Sequence, residues 1–270
     1  MDRNPQLREM ADESMVRNLA AQADAIWPQE EAIFRAHRLP EAPRVLDVGC
    51  GTGEIAARLG SLFPRATIVG VDVIESHLDL ARKRCAELGG RVQFQVADAF
   101  ELPFPDGAFD LVVCRHVLQS IPTPERVLAQ LVRVTRPGGV IHLVCEDYDM
   151  IHAGPTRIDV SWFWHAAPRA YGPSIGCDFY IGRNAFHHLR ALPVEGIRYD
   201  YVHVDTLRVP RETFAQIFTA WRDGFVETCS KYLPKTKAEI TDYFDATIEC
   251  IRDPNGYALW VVPVVSAIRR

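Results

Sequence analysis

From residue 44 to residue 145, short apolar runs alternate with longer stretches of helical period, and few architectures accept that alternation. Arg44–Val48, Thr67–Val71, Val92–Val96, Phe109–Cys114 and Val140–Cys145 read as strands. Glu54–Leu62 carries Ile55, Leu59 and Leu62 on one face, Glu75–Leu88 is stopped by Gly89-Gly90, and Pro124–Thr135 by Arg136-Pro137-Gly138-Gly139. Strands this apolar have no solvated face, so the pattern predicts right-handed βαβ crossovers and a parallel sheet covered by helices on both sides. In such sheets ligands bind beyond the carboxyl ends of the strands. The glycine loop at 49–53, Asp72, Asp98, Arg115 and Glu146 all fall at such ends, so one cleft can hold them.

The flanks differ in texture. Residues 6–38 look helical, with Leu7, Met10, Met15, Val16, Leu19, Ile26, Ile33 and Phe34 among charges, and Pro28 is expected to divide the segment. After residue 146 the period is lost in an aromatic-, Gly- and Pro-rich stretch, the kind of long irregular segment that serves function. A helix resumes near Arg183–Ala191, residues 197–209 alternate like a strand, 211–252 are helical, and Tyr257–Ile268 forms a last strand. The expected organisation is one domain over 1–270. Residues 1–40 form a helical lid, 41–145 a cofactor-binding core, 146–182 a substrate loop, and 211–255 a helical cap inserted between the last two strands.

Charge and cysteine usage narrow the partners. A formal net charge of −5, with no Lys/Arg run, argues against a nucleic-acid partner. Seven cysteines without CxxC or other metal spacing predict reduced thiols and no metal site, hence a cytoplasmic protein. The polar start MDRNPQLREMADES lacks a signal core, and the run 258–268 is too short for a membrane span and contains Pro263.

The loop DVGCGTGE, residues 47–54, shows which ligand the cleft favours. Gly49, Gly51 and Gly53 give G-x-G-x-G with Glu54 where a dinucleotide fingerprint wants glycine, and a P-loop lysine is missing. Asp47 and Glu54 would repel a diphosphate. A phosphate-free nucleoside bearing a cation fits better, and S-adenosylmethionine is such a molecule. Asp47 would face its positive end, Asp72 its ribose hydroxyls, and Asp98 with Ala99 its adenine edge, with Val73 and His77 flanking the ring.

VLDVGCGTG, then the Val71-Asp72 pair, then VADAFELPFPDGAFDLVVCRHVL and LVRVTRPGG, resembles the class I S-adenosylmethionine-dependent methyltransferases. It is similar in particular to their small-molecule branch, which includes the ubiquinone/menaquinone methyltransferases. The resemblance covers about residues 44–145, with the strand pattern near 183–209. It implies an α/β, doubly wound, mostly parallel seven-stranded sheet of Rossmann-like type. It also implies that cofactor contacts fall on Asp47, Gly49, Cys50, Gly51, Gly53, Asp72, Val73, Asp98, Ala99 and Cys114 or Arg115. It is weaker at His77, where that family often has Met or Leu.

The acceptor is less explicit. Methyl transfer is an in-line displacement that needs positioning and exclusion of water, and a base if the nucleophile carries a proton. Candidates lie in the loops above the sheet: His116 after the fourth strand, Glu146 and Tyr148 in EDYDMIH after the fifth, and His165 in WFWH. Acids beside aromatics favour an aromatic or amine-bearing small molecule, and N- or O-methylation of a metabolite is the expected activity. CRHV stands where amino-methyltransferases acting on DNA carry an Asn/Asp-Pro-Pro-Tyr type motif. A second reading keeps the cofactor without methyl transfer, as a binding module or a catalyst of a non-methylating rearrangement.

Overall fold

A computed structural model describes residues 2–270. The chain runs α1 (Leu7–Met10), α2 (Glu13–Ala36), β1 (Arg44–Val48), α3 (Glu54–Leu62), β2 (Thr67–Asp72), α4 (Glu75–Arg84), β3 (Val92–Val96), β4 (Phe109–Arg115), α5 (Pro124–Val134) and β5 (Thr135–Val144). It continues through β6 (Ile151–Gly154), α6 (Val160–Ser174), α7 (Ile181–Arg190), β7 (Val194–Asp205), α8 (Arg211–Tyr232), α9 (Lys237–Arg252) and β8 (Tyr257–Arg269). One eight-stranded sheet has the order β3-β2-β1-β4-β5-β8-β6, with β7 on the other side of β8. The first five strands pair in parallel, whereas β8 is antiparallel to β5, β6 and β7.

Strand periodicity sorts the core onto two faces. Leu46, Val48, Val112, Cys114, Ile141 and Leu143 pack with α5 and α7, while Val45, Leu111, Val113 and Val140 pack with Trp27 and Phe34 of α2 and with α3. A third cluster joins α2, α6, α8, α9 and the inner half of β8 around the fully buried Trp260.

Three expectations change. Helix α2 runs unbroken through Pro28, because Ile26, Trp27, Glu30 and Phe34 are buried on both sides of it and tertiary packing outweighs the missing hydrogen bond. The segment 146–182 is largely regular. It holds β6, paired with the start of β8, and the 15-residue α6, whose first turn is capped by Asp159 Oδ1 accepting from the backbone N–H of Ser161 and Trp162. Its helical period (Val160, Phe163, Trp164, Ala167, Tyr171) was hidden by Pro168, Gly172 and Pro173. The sheet therefore has eight strands instead of seven, β6 being the addition.

Candidate active site

The glycine loop leaves β1 and is tied to the end of the neighbouring strand β2. Gly49 and Cys50 both donate backbone N–H to Val71 O, at 2.8 and 3.0 Å, and Gly51 N–H donates to Asp72 Oδ2 at 2.8 Å. Gly53 is left-handed (φ 77°) at the N-cap of α3, and a Cβ there would lie 2.8 Å from that of Ala81 in α4, so the two helices approach only because the side chain is missing. Asp72 Oδ1 also accepts from Ile74 N–H at 2.9 Å. Each oxygen keeps a free lone pair facing the cleft, as a vicinal diol requires.

Above this loop lies a cavity of about 870 Å3 lined by Gly49, Gly51, Asp72, Val73, His77, Ala99, Phe100, Arg115 and His116, and closed on the outer side by Asn4, Gln6, Leu7 and Met10. Burial holds the His77 imidazole below its ordinary pKa against the pull of Asp72, so the ring is a neutral, flat surface. Asp98 lies beside the cavity, its Oδ1 accepting from Phe100 N–H at 2.9 Å and its Oδ2 from Arg3 at 3.2 Å.

A smaller compartment continues under the loop, lined by Asp47, Gly49, Cys50, Thr52, Arg115 and Gln22. Asp47 is only 2% exposed, and its Oδ2, like the Thr52 hydroxyl, has no hydrogen-bond partner among the described residues. Burial pushes the Asp47 carboxyl up to about 7, against the attraction of Arg115. Unpaired buried groups of this kind mark a place where a polar ligand belongs. The donor set suits the cofactor expected from sequence. A charged amino-acid tail would meet Asp47 and Arg115, and a nucleoside would lie over Asp72 and His77.

A second cavity, of about 810 Å3, lies on the far side of His116. Its wall is aromatic: Phe163, Trp164 and Tyr171 come from α6, Phe179 from just before α7, Trp221 and Phe225 from α8, and Phe244 from α9. The polar residues are Gln6, Asn18, Gln22, Gln119, Ser120, His116, Glu146 and Tyr148, with no Lys or Arg among them. Between the two cavities stands His116, a non-glycine residue in the left-handed region (φ 54°), a conformation that costs energy and clusters at functional positions. Its Nδ1 is 2.6 Å from Glu146 Oε1, while Nε2 and Glu146 Oε2 are buried without partners. The carboxylate fixes the tautomer, with Nδ1–H donated to Glu146 and the Nε2 lone pair free.

The structure thus brings together most residues expected from sequence. Asp47, Gly49, Cys50, Gly51, Asp72, Val73, His77, Ala99 and Arg115 line the first cavity or its lower compartment, and His116, Glu146 and Tyr148 line the second. Four lie elsewhere. Cys114 is fully buried in the core on the opposite face of β4, and Gly53 serves helix packing. Asp98 is turned to Arg3. His165 sits on the outer face of α6, its side chain 41% exposed, with Nδ1 2.7 Å from Ser161 O and Nε2 3.6 Å from Asp149. Asp147 and Asp149 also face away from the cavities, paired with Arg183, whose Nε and Nη2 each lie 2.6 Å from Asp147. Asn18 and Gln22 were not expected. Their signal is a polar pair at i, i+4 among the buried positions of α2.

Residues 45–139 match the family model described as a methyltransferase domain. The demethylmenaquinone methyltransferase of Thermus thermophilus is 37% identical over 123 residues, which are 46% of this chain and 55% of that protein. The ubiquinone/menaquinone biosynthesis C-methyltransferase of Desulfotalea psychrophila is 41% identical over 108 residues, 40% of this chain and 42% of that one. The chain therefore spans about half the length of the curated relatives it matches. Among solved structures, a phosphoethanolamine N-methyltransferase of Haemonchus contortus in complex with S-adenosylhomocysteine aligns with a TM-score of 0.56 at 20% identity, covering 90% of this chain and 52% of that one, which establishes the shared fold. No helix among the described residues is long and apolar enough to cross a membrane.

Proposed function

We propose that the protein, whose residues 45–139 match a methyltransferase domain, is an S-adenosylmethionine-dependent methyltransferase whose acceptor is an apolar, ring-bearing small molecule with an ionisable hydroxyl. The observation that carries this reading is the His116–Glu146 pair at the boundary between a cofactor-shaped and an aromatic cavity.

The bound cofactor supplies a methyl group on a sulfonium, already electrophilic. Asp72 and the glycine loop hold the nucleoside, and Asp47 with Arg115 receives the tail. His116 Nε2 takes the acceptor's hydroxyl proton, and Glu146, at Nδ1, stabilises the imidazolium that forms. Phenolate character then makes the oxygen, or a ring carbon conjugated with it, nucleophilic. The aromatic wall excludes water and holds the ring. Asn18 Oδ1 and Gln119 Oε1, both buried and unpartnered at this cavity, supply acceptors for a further donor on the substrate.

A cationic amine is less well served. Among the acids after β5 only Glu146 reaches the cavity, and it is engaged with His116. The absence of Lys and Arg from this lining argues against phosphorylated or carboxylate acceptors.

The test is to incubate the protein with S-adenosylmethionine and a panel of apolar phenols, hydroxyquinones, amines and carboxylates, reading S-adenosylhomocysteine and methylated product by mass spectrometry. Turnover of hydroxylated rings, lost in His116→Ala, is expected. Turnover of amines alone would sink the acceptor assignment. Conversion of an acceptor without S-adenosylhomocysteine release would favour a non-methylating catalyst.

A further inference from the structure

Beneath the cofactor cavity runs a buried polar chain of which the proposed reaction uses only Asp47 and Arg115. Asp47, Arg115 and His142 stand on the neighbouring strands β1, β4 and β5, and Asp47 and His142 both pair in register with Val113. Their parity is that of Val45, Val113 and Val140, so all three face α2. From α2, Glu30 reaches down to meet them. It is fully buried, and burial alone would drive its carboxyl up. Instead the charge of Arg115, the His142 hydrogen bond and the Arg115 hydrogen bond hold it at about 2.

The contact is one hydrogen bond and one ion pair: Arg115 Nε donates to Glu30 Oε1 at 2.9 Å, and Nη2 lies 2.8 Å from Oε2 without hydrogen-bonding geometry. His142 Nε2 lies 3.0 Å from Glu30 Oε1, and its Nδ1 is 3.0 Å from Nε2 of His37 at the end of α2. His142 is stacked on Phe34 at 4.0 Å, which fixes its ring. The Nε hydrogen bond and the ion pair at Nη2 together orient the guanidinium of Arg115 toward Glu30. Its Nη1 makes no hydrogen bond among the described residues, and the side chain lines the compartment opposite the unpartnered Asp47 Oδ2.

Resting on the cofactor reading above, we propose that Glu30 is a positioning residue for cofactor binding. From α2 it clamps Arg115 so that Arg115 and Asp47 present one positive and one negative group, at fixed separation, to the zwitterionic amino-acid end of the cofactor. A buried acid that only anchored a helix would, on removal, cost stability and weaken binding of both halves of the ligand alike. One that aims an arginine affects the carboxylate of the ligand and leaves the nucleoside alone.

The experiment is calorimetric binding of S-adenosylhomocysteine and of 5′-methylthioadenosine, which lacks the amino-acid end, to wild type and Glu30→Gln. The variant is expected to lose about tenfold or more in affinity for S-adenosylhomocysteine, the order of one charge-assisted hydrogen bond, and to hold 5′-methylthioadenosine within about twofold. Equal loss for both ligands, or loss for neither, would overturn the positioning role. Should Glu30→Gln not fold, wild type alone decides through S-adenosylhomocysteine and its decarboxylated analogue. The analogue is expected to bind about tenfold or more weakly, and equal affinity overturns the proposal. Folded wild type that binds none of these ligands would instead remove the cofactor reading, and the proposal with it.

Discussion

In the cofactor-free protein Asp47→Asn is expected to stabilise the fold, and to do so increasingly as pH rises. Burial lifts the Asp47 carboxyl from its ordinary 3.8 to about 7. Between those values the folded protein keeps a proton that the unfolded chain has released, so the contribution to stability is present below the unfolded pKa and is lost as pH rises through 7. A difference of about 3 units at 1.36 kcal/mol each makes the full loss about 4 kcal/mol, of which about 2 falls between pH 5 and pH 7. Asparagine keeps the shape and does not titrate. Urea unfolding followed by tryptophan fluorescence should therefore show the advantage of the variant widening by about 2–3 kcal/mol from pH 5 to pH 8. Saturating S-adenosylhomocysteine should raise the Tm of wild type more than that of the variant, because the ligand's ammonium favours the carboxylate. An advantage that does not change with pH, or a variant less stable than wild type at pH 8, would refute the account of a buried, unpaired carboxyl.

The remaining predictions concern the second cavity and the cap. Glu146→Gln is expected to lower kcat for a hydroxylated acceptor by about 10²- to 10³-fold, as loss of an oriented general base does, with S-adenosylhomocysteine affinity held; steady-state kinetics beside calorimetry separates the two. His165→Ala should leave the same kcat within about twofold, since an exposed side chain on the outer face of α6 cannot reach a proton in the cavity, and a larger fall would require that helix to rotate. Thr236→Ala should cost about 1 kcal/mol in urea unfolding, because Thr236 and Glu239 form a reciprocal capping box at the start of α9.

The cofactor half was legible because each of its constraints is local. A glycine that must be left-handed, an acid at a strand end and a period-2 apolar run are written within a few residues of one another. Glu54–Leu62 begins and ends where its periodicity predicts. The acceptor half was not, because its wall is assembled from α1, α2, α6, α8 and α9, far apart in the chain. His165 and Trp164 are adjacent in sequence, yet only Trp164 faces the cavity, and the helix that separates them was obscured by two prolines. Glu30 shows the same limit from the other side. An acid between Gln29 and Glu31 reads as solvated surface until strand parity brings Arg115 and His142 beneath it.

Strands β7 and β8 are adjacent and antiparallel, and Asp205 pairs with Leu259 in register. In topological terms the helices α8 and α9 are the loop of a β-hairpin, grown to some 50 residues, with their two ends held one strand apart. A tight turn spans the same gap, so the whole cap can be removed or exchanged without redirecting any strand, and loop-closure entropy changes only slowly with the length inserted there. The matched methyltransferase region ends at residue 139, well before this hairpin begins. Evolution, or an engineer, can therefore vary the α8–α9 part of the aromatic wall as a cassette while the glycine-loop cleft stays as it is. Grafting a different helical pair between Asp205 and Leu259 becomes a direct route to a new acceptor on the same cofactor core.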